Sequence, residues 1–263
     1  MPNFQFRIPL NRSIFISVCF ALFSFHSSSQ VVNIEAQRIV TDTTGWFGDV
    51  NGDFSFQQNV STIYSFNAGV HAEYKSKNNK DLWLFLGTAG LLKVDSSNFA
   101  NNALALALYN RKLGKLLRAE AYSVIFDNHV TNIRVRWVAG AGPRFKFLDK
   151  KILKIYAGIP VQLEYEESLV SDVATTTQAR FSPYLTFTFL PVANLKLVST
   201  TYYQPRADDF NDYRILHVDQ LKIDVTKKFA FSIDFSYLYD QFPQPNVPNK
   251  ILALSTGLKY KFR

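Results

Sequence analysis

The sequence predicts an all-β fold, an up-and-down antiparallel β-barrel of about twelve strands that each cross a membrane. Three features predict it. Apolar and polar residues alternate from residue 46 to the chain end, short and long connections alternate between the strands, and Phe and Tyr are abundant, with 24 and 13 residues. A period of two gives each strand two different faces, and aromatic residues favour strands over helices.

The first predicted strand, residues 46–56, places Trp, Val and Phe on one face and Asp, Asn and Ser on the other. The segment 82–94 is apolar on both faces, and the segment 100–112 carries Ala on one face. Each segment is long enough to cross a bilayer when tilted. The other predicted strands cover residues 64–75, 133–147, 153–166, 178–190, 193–205, 212–226, 229–240 and 250–263, with one more that carries Arg118 and Glu120.

The connections predict which rim of the barrel faces which side. Short turns fall at 112–115, 148–151, 190–194 and 225–228, and longer polar loops, such as 94–102, lie between them. Short turns on one rim and long loops on the other are typical of outer-membrane barrels. An even number of strands then places both ends of the barrel on the short-turn, periplasmic side.

The N-terminal residues are predicted to target the chain to the outer membrane. Arg7 and Arg12 precede an apolar run, residues 14–25, which is too short to span a bilayer and has the length of a signal-peptide core. The predicted segments are a cleaved signal peptide at 1–29, a short strand or periplasmic arm at 30–45, and the barrel at 46–263.

Composition narrows the chemistry. The formal net charge is +8, but the charges are dispersed and an exported protein meets no DNA, so nucleic acid is not an expected partner. Cys19 is the single cysteine, and no phosphate-binding loop or His-rich motif is present, so neither a cofactor nor a metal is expected. The expected partners are outer-membrane lipid and lipopolysaccharide, the barrel-assembly machinery, and small solutes or ions.

A soluble β-sandwich or lipocalin is the alternative to a membrane barrel. Two observations count against it. About twelve strands closed into one barrel enclose more space than side chains easily fill, and the polar faces carry opposite charges, which suits an aqueous or paired interior. Aromatic residues near the strand ends fit interfacial girdles: Trp46, Tyr74, Tyr109, Tyr165, Tyr203, Tyr237, Tyr239, Tyr260 and Phe262.

The chain ends on a segment that predicts barrel closure. Ser255, Gly257, Tyr260 and Phe262 resemble the C-terminal assembly signal of outer-membrane barrels, with a trailing Arg263 that departs from it. An unpaired sheet edge is untenable in lipid, so the last strand is expected to pair with the first.

Several stretches resemble the salt-induced outer membrane protein family, a bacterial family of unknown function. The resemblance extends over most of residues 45–263, and one departure is Gln-Gln-Asn-Val at 57–60, where relatives commonly carry a Gly-Asn-Thr turn. The family has no agreed substrate or catalytic residues, so the resemblance implies no site. The stretches are "GWFGDVNGDFSF", "TNIRVRWVAGAGPRFKF", "YYQPRADDFNDYRI" and "YDQFPQPNVPNK".

Charged residues on the sixth and seventh predicted strands form the candidate site. If the strands pair through the turn at 148–151, Glu164 and Glu166 fall opposite Arg134 and Arg136. Arg180 on the next strand and Arg118 and Glu120 on the preceding one are further candidates for the same ladder. Such cross-strand pairs stabilise a sheet by about 0.2–1 kcal/mol each. The ladder is therefore expected either to fill and stiffen the lumen or to form a constriction that selects solutes by charge.

Two other functions stay open from the sequence. An outer-membrane hydrolase of the lipase or protease type would use His129 or His217, the latter two residues from Asp219, whereas His71 is predicted to be a lumen-wall residue. Asp208 and Asp209 lie together in a loop and predict at most weak cation binding. Long loops on one rim also fit a binding surface. The preferred prediction is a non-enzymatic barrel, either a small passive pore or a plugged envelope protein.

Overall fold

A computed structural model describes residues 38, 44–58, 62–94 and 98–262. The predicted signal peptide and most of the predicted 30–45 segment lie outside these residues. No helix in the described part of the chain is long and apolar enough to cross a membrane.

The described chain is a single antiparallel sheet of fourteen strands. One short 3-10 turn, His129–Thr131, precedes β6. The strands are β1 (Gly45–Gln58), β2 (Thr62–Lys75), β3 (Asp81–Val94), β4 (Asn98–Lys112), β5 (Leu117–Asn128), β6 (Ile133–Asp149), β7 (Leu153–Gly158), β8 (Val161–Ser168), β9 (Thr176–Phe181), β10 (Tyr184–Val192), β11 (Leu195–Pro205), β12 (Tyr213–Asp224), β13 (Phe229–Asp240) and β14 (Lys250–Phe262).

These strands occupy twelve positions in the wall, because β7 with β8 and β9 with β10 each act as one interrupted strand. Both β7 and β8 pair with β6, and the break falls at Pro160. Pro183 lies in the second break. Proline has no backbone N–H to give to the ladder, so it interrupts a strand. The Pro160 carbonyl instead accepts from the Ser182 backbone N–H at 2.8 Å, which keeps the two breaks side by side.

The sheet closes where β14 pairs with β1. Phe262 lies opposite Gly48, and Tyr260 lies opposite Val50. The ring of strands is thereby closed, with β9 pairing with β8 on one side and meeting the chain after β11 through a single bridge, Arg180 with Arg206, on the other. The predicted twelve-stranded barrel is confirmed, and both ends of the sheet lie on the short-turn rim.

Aromatic side chains form clusters at both rims. On the turn side, Trp46 and Tyr74 lie 5.2 Å apart between ring centroids, and Trp83 and Tyr109 lie 4.5 Å apart. On the loop side, Tyr213 lies 5.7 Å from both Tyr203 and Tyr239. Apolar residues such as Leu163 and Leu252 are exposed on the outer surface between the clusters. This is the arrangement expected for a barrel in a lipid bilayer.

The interior differs from the sequence-based expectation on β3 to β5. Apolar residues were expected to face lipid, but leucines of β3 and β4 point inward and are buried, with Leu84 at 0% and Leu108 at 1% exposure. Alanines such as Ala105 and Ala107 occupy the outer face instead. The loop predicted at 94–102 is also shorter, because β4 already begins at Asn98.

The closing pair of strands gives a first prediction. A side chain at Gly48 would overlap the Phe262 ring and the His71 carbonyl, whereas at Gly52, on the same face of β1, the nearest atom is the Asn67 carbonyl oxygen at 3.9 Å. Gly48→Val is expected to lower the free energy of unfolding by about 1–3 kcal/mol, the usual cost of overpacking. Urea unfolding in lipid vesicles measures it. Gly52→Val is the matched control and is expected to be neutral or stabilising, because Val favours strands. Equal losses in the two variants would contradict this account of the seam.

Candidate functional site in the barrel lumen

Arg214 on β12 is the centre of a charged network that crosses the lumen. Its guanidinium donates to Glu164 Oε1 on β8 at 2.7 Å and to Asp240 Oδ2 on β13 at 2.7 Å, and it lies 3.7 Å from Glu166 Oε2. In the wall two positions separate β8 from β12, the interrupted strand β9–β10 and β11, so the Glu164 bond runs through the interior and not between neighbouring strands. All four side chains are buried or nearly so. The charges are therefore paired across the lumen, as buried ions need to be.

Arg136 binds the same two glutamates from the other side. It lies directly opposite Glu166 in the β6–β8 register, donates to Glu166 through Nε, and lies 3.6 Å from Glu164 Oε1. Glu164 also accepts from Gln178 at 3.2 Å. Glu166 accepts a further hydrogen bond from Gln244 of the loop between β13 and β14. Through these contacts the two glutamates of β8 link β6, β12 and the loop between β13 and β14.

The structure places the predicted ladder residues in three different settings. Arg136, Glu164 and Glu166 come together. Arg180 is buried beside them but binds Asp212 Oδ1 at 2.8 Å rather than a glutamate. Arg134 does not join: its side chain is 60% exposed and lies 3.3 Å from Glu167.

A register shift in β6 explains why Arg134 leaves the ladder. The shift lies between Ile133 and Val135. A bulge adds one residue to a strand and so inverts which face the residues beyond it occupy. Ile133 consequently faces the interior, and Arg134 faces outward. The expectation that Glu164 and Glu166 would face Arg134 and Arg136 is wrong in this respect, because Glu164 lies opposite Val138.

A second crossing lies deeper in the lumen, around Glu120 on β5. Its carboxylate accepts hydrogen bonds from Asn110 Nδ2 at 3.1 Å, from Tyr184 Oη at 3.1 Å and from Arg38 Nη2 at 2.5 Å. Tyr184 is on β10, so its bond crosses the interior. Arg38 belongs to the segment that precedes the barrel, and its carbonyl accepts from Lys196 Nζ at 2.8 Å. We call this group the partition.

On the turn side of the partition lies a chamber of about 340 Å³ with a strongly positive lining. Eight basic residues and three acidic residues line it, which is an excess of five positive charges. Arg144 is stacked over the Tyr156 ring at 3.8 Å, and Lys154 lies 3.3 Å from Asp149. The basic residues of this turn-side chamber are Arg38, Lys75, Lys80, Lys112, Arg118, Arg144, Lys154 and Lys196, and the acidic ones are Glu73, Asp81 and Asp149.

On the loop side lies a second chamber, of about 180 Å³, with largely apolar walls. It shares no lining residue with the turn-side chamber. The β13–β14 loop contributes Pro243, Gln244, Val247, Pro248 and Asn249 to its lining. This loop reaches across the mouth, since Asn132, on the far side of the barrel, donates to the Pro245 carbonyl at 2.9 Å. The apolar lining of this loop-side chamber includes Leu104, Leu106, Val124, Phe126, Ile133, Val138, Leu216, Leu238, Val247 and Ile251.

The histidines considered for catalysis are placed differently. His71 is buried beside Asp49, 3.2 Å from its Oδ2, and His129 lies 4.0 Å from Asp127 in a partly exposed position. His217 on the outer face of β12 lies 2.8 Å from Thr201 Oγ1 and 3.1 Å from Asp219 Oδ2.

The Thr201, His217 and Asp219 chain has the order of a nucleophile, a base and a carboxylate. It lies inside the β11–β12 ladder, where Thr201 is opposite His217. Backbone N–H groups there are committed to the sheet, so they are not free to stabilise an oxyanion. The Thr201, His217 and Asp219 side chains therefore have no oxyanion hole formed by the backbone of their own strands.

The loop between β11 and β12 does not favour the predicted weak cation site. Arg206 Nε donates to Asp208 Oδ1 at 2.6 Å, and its Nη2 lies 3.7 Å from Asp209 Oδ2. The hydrogen bond from Arg206 lowers the pKa of the Asp208 carboxyl below its usual value. Among the described residues no group of three or more His, Cys, Asp or Glu side chains is placed to hold a metal ion.

A family model, described as a protein of unknown function, DUF481, matches residues 48–262. The chain belongs to this family. The resemblance seen in the sequence, to an outer-membrane family of unknown function, is confirmed at the level of the family. No curated protein matches the chain.

Two solved structures show the same fold as the DUF481 barrel. The NanC porin aligns with a TM-score of 0.51 at 11% identity, covering 82% of this chain and 100% of that chain. The translocator domain of the autotransporter NalP from Neisseria meningitidis aligns with a TM-score of 0.50 at 11% identity, covering 95% and 96%. At such low identity the likeness shows the fold alone.

Sequence reasoning missed the centre of the network. Arg214, Asp240 and the Glu120 contacts with Arg38 and Tyr184 were not predicted. The alternation on β12 and β13 places Arg214 and Asp240 on the inner face, which was a usable signal. Nothing in the sequence indicates which side chains meet across the lumen, since those partners are distant in the chain.

Proposed function

We propose that this protein is an outer-membrane barrel whose lumen is held closed by its own charged side chains, and that it does not conduct ions as an open porin does. The observation that carries the proposal is the pair of crossings: Arg214 binds Glu164, and Tyr184 binds Glu120, each across the interior. Both involve buried groups, for which opening would expose paired charges and break several hydrogen bonds at once.

The two chambers support the same conclusion. No residue lines both chambers, and the partition at Glu120 lies between them. A small passive pore would need one continuous path lined by water. The apolar lining on the loop side is also unsuited to ion passage, because hydrophobic constrictions exclude water and ions. The barrel thus fits an envelope protein with a plugged lumen.

The outer surface supports two further parts of the proposal. The exposed apolar belt and the aromatic clusters fit outer-membrane lipid and lipopolysaccharide as the surrounding partners. Ser255, Gly257, Tyr260 and Phe262 lie on the closing strand β14, and this position fits a signal that the barrel-assembly machinery recognises. Export through a cleaved signal peptide at 1–29 belongs to the same proposal.

Planar-bilayer recording tests the closure. The refolded protein, shown to be folded by a gel mobility that changes when the sample is heated, is expected to give no discrete current steps. Vesicle swelling with small neutral sugars gives an independent reading of the same path and is also expected to be negative. Regular steps of one size from the wild-type protein would contradict the proposal and favour a constitutive pore.

A further inference from the structure

The loop-side chamber is unlike the interior expected for a barrel that fills with water. Its walls on β4 to β6 are inward-facing apolar side chains, with Leu106 only 3% exposed, and three more apolar residues, Leu216, Leu238 and Ile251, line it from β12 to β14. Such walls offer water no hydrogen bonds, so an apolar cavity tends to stay dry and to take up apolar molecules. Concave, mostly apolar sites with a few polar groups are the usual form of small-molecule sites.

The charged residues that line the chamber are already neutralised by one another. Arg136 and Arg214 are both bound to Glu164, Asp240 is bound to Arg214, and Glu120 is bound to Arg38. An ionic ligand would have to displace one of these buried pairs and leave its partner uncompensated. The chamber is therefore suited to a neutral molecule.

One polar atom in the chamber has a hydrogen-bonding capacity that the protein does not use. Gln244 lines the chamber and donates through Nε2 to Glu166, while its Oε1 is buried without a partner. The carboxylate of Glu166 is an acceptor, so the amide must turn its NH₂ group towards it and its oxygen away. A buried acceptor without a partner is costly, and a ligand hydroxyl would satisfy it.

We propose that the loop-side chamber binds a small neutral molecule with an aromatic or aliphatic body and one hydroxyl group, of the phenol class. Its volume of about 180 Å³ sets the size. An apolar cavity of about 150 Å³ holds benzene, so the ligand has roughly six to ten non-hydrogen atoms. The body lies against Leu104, Leu106 and Val124, and the hydroxyl donates to Gln244 Oε1. This site goes beyond the closure of the lumen and does not depend on it.

Fluorine NMR of 4-fluorophenol with the full barrel in lipid nanodiscs tests the proposal, and empty nanodiscs give the signal from partition into lipid. The wild-type protein is expected to add a saturable bound signal. Leu104→Trp fills the chamber and is expected to abolish that signal. Ala103→Trp is the matched control, because Ala103 is the neighbouring residue of β4 on the outer face, and it is expected to keep the signal. Val124→Phe repeats the filling from β5 if Leu104→Trp does not fold.

Gln244→Lys tests the hydroxyl contact separately. Lysine keeps a donor towards Glu166 but offers no acceptor to the chamber. The preference of the wild-type barrel for 4-fluorophenol over 4-fluorotoluene is expected to fall about tenfold in this variant, the size of one neutral hydrogen bond. A signal no larger than that of empty nanodiscs, or a saturable signal that both filling variants keep, would overturn the site. Ion conduction by the wild-type barrel would end the closure proposal and leave this site intact, because binding is read without any ion flux.

Discussion

Replacing Arg214 with Met is expected to lower the free energy of unfolding by about 3–5 kcal/mol, the usual cost of removing one partner from a buried ion network. Arg214 lies within reach of Glu164, Glu166 and Asp240, so its loss takes a cation from three buried carboxylates, of which Glu164 and Glu166 keep their ion pairs with Arg136. Met keeps much of the side-chain volume, and the loss therefore reports charge rather than a cavity. Urea unfolding in lipid vesicles measures it.

The control for this prediction is Arg134→Met. Arg134 also pairs with a glutamate, Glu167, but both side chains are substantially exposed, at 60% and 34%. An exposed pair contributes about 0–1 kcal/mol. A double variant, Arg214→Met with Glu164→Gln, is expected to recover part of the loss because one uncompensated carboxylate is removed. Equal effects of Arg214→Met and Arg134→Met would show that the buried network stabilises the barrel no more than an exposed ion pair does.

Replacing Glu120 and Glu164 together with Ala removes the shared acceptors of both crossings and is expected to open an ion path that prefers anions. Glu120 accepts from Arg38, Asn110 and Tyr184, so its removal takes away the shared acceptor of the partition. Arg38 and Arg144 then lose their common counter-ion, and their mutual repulsion favours separation and hydration. The chamber next to the gap carries an excess of five positive charges. Fixed charge around a narrow path sets the sign of the ion that passes.

Planar-bilayer recording under a salt gradient measures this second effect. Discrete steps and a severalfold chloride preference are expected for the double variant Glu120→Ala with Glu164→Ala, and the preference is expected to shrink at about 1 M salt, where the Debye length falls to about 3 Å. Glu167→Ala is the control, since Glu167 is paired with Arg134 outside the network. A silent membrane with the folded double variant, or a preference for cations, would contradict the assignment of the two crossings as the closure.

Much of the fold could be predicted because it depends on local pattern. Alternation with a period of two fixes which residues share a face, and it gave the barrel class and most strand positions. On β3 and β4 the alternation is not informative, because both faces are apolar and the pattern does not say which face points inward. There the leucines point inward and the alanines outward, because the bulky side chains pack together inside the barrel.

The site was only partly predictable, and the reason is distance along the chain. Arg136 and Glu166 are neighbours across one hairpin, so the register of two adjacent strands was enough to bring them together. The fate of Arg134 depended on a bulge, which no residue type in the sequence marks. Glu164 and Arg214 are 50 positions apart and meet across the lumen, which depends on the curvature of the whole sheet.

The sequence by itself determined that this protein is a closed β-barrel with apolar and polar faces, because strand periodicity and the cost of an open edge in lipid leave little choice. Only the tertiary structure decided what fills the barrel. Closing the sheet brings Arg214 onto Glu164 and Tyr184 onto Glu120, and it separates an apolar chamber from a basic one. Contacts across a lumen follow from the diameter and stagger of the barrel, which belong to all the strands together and to none of them alone.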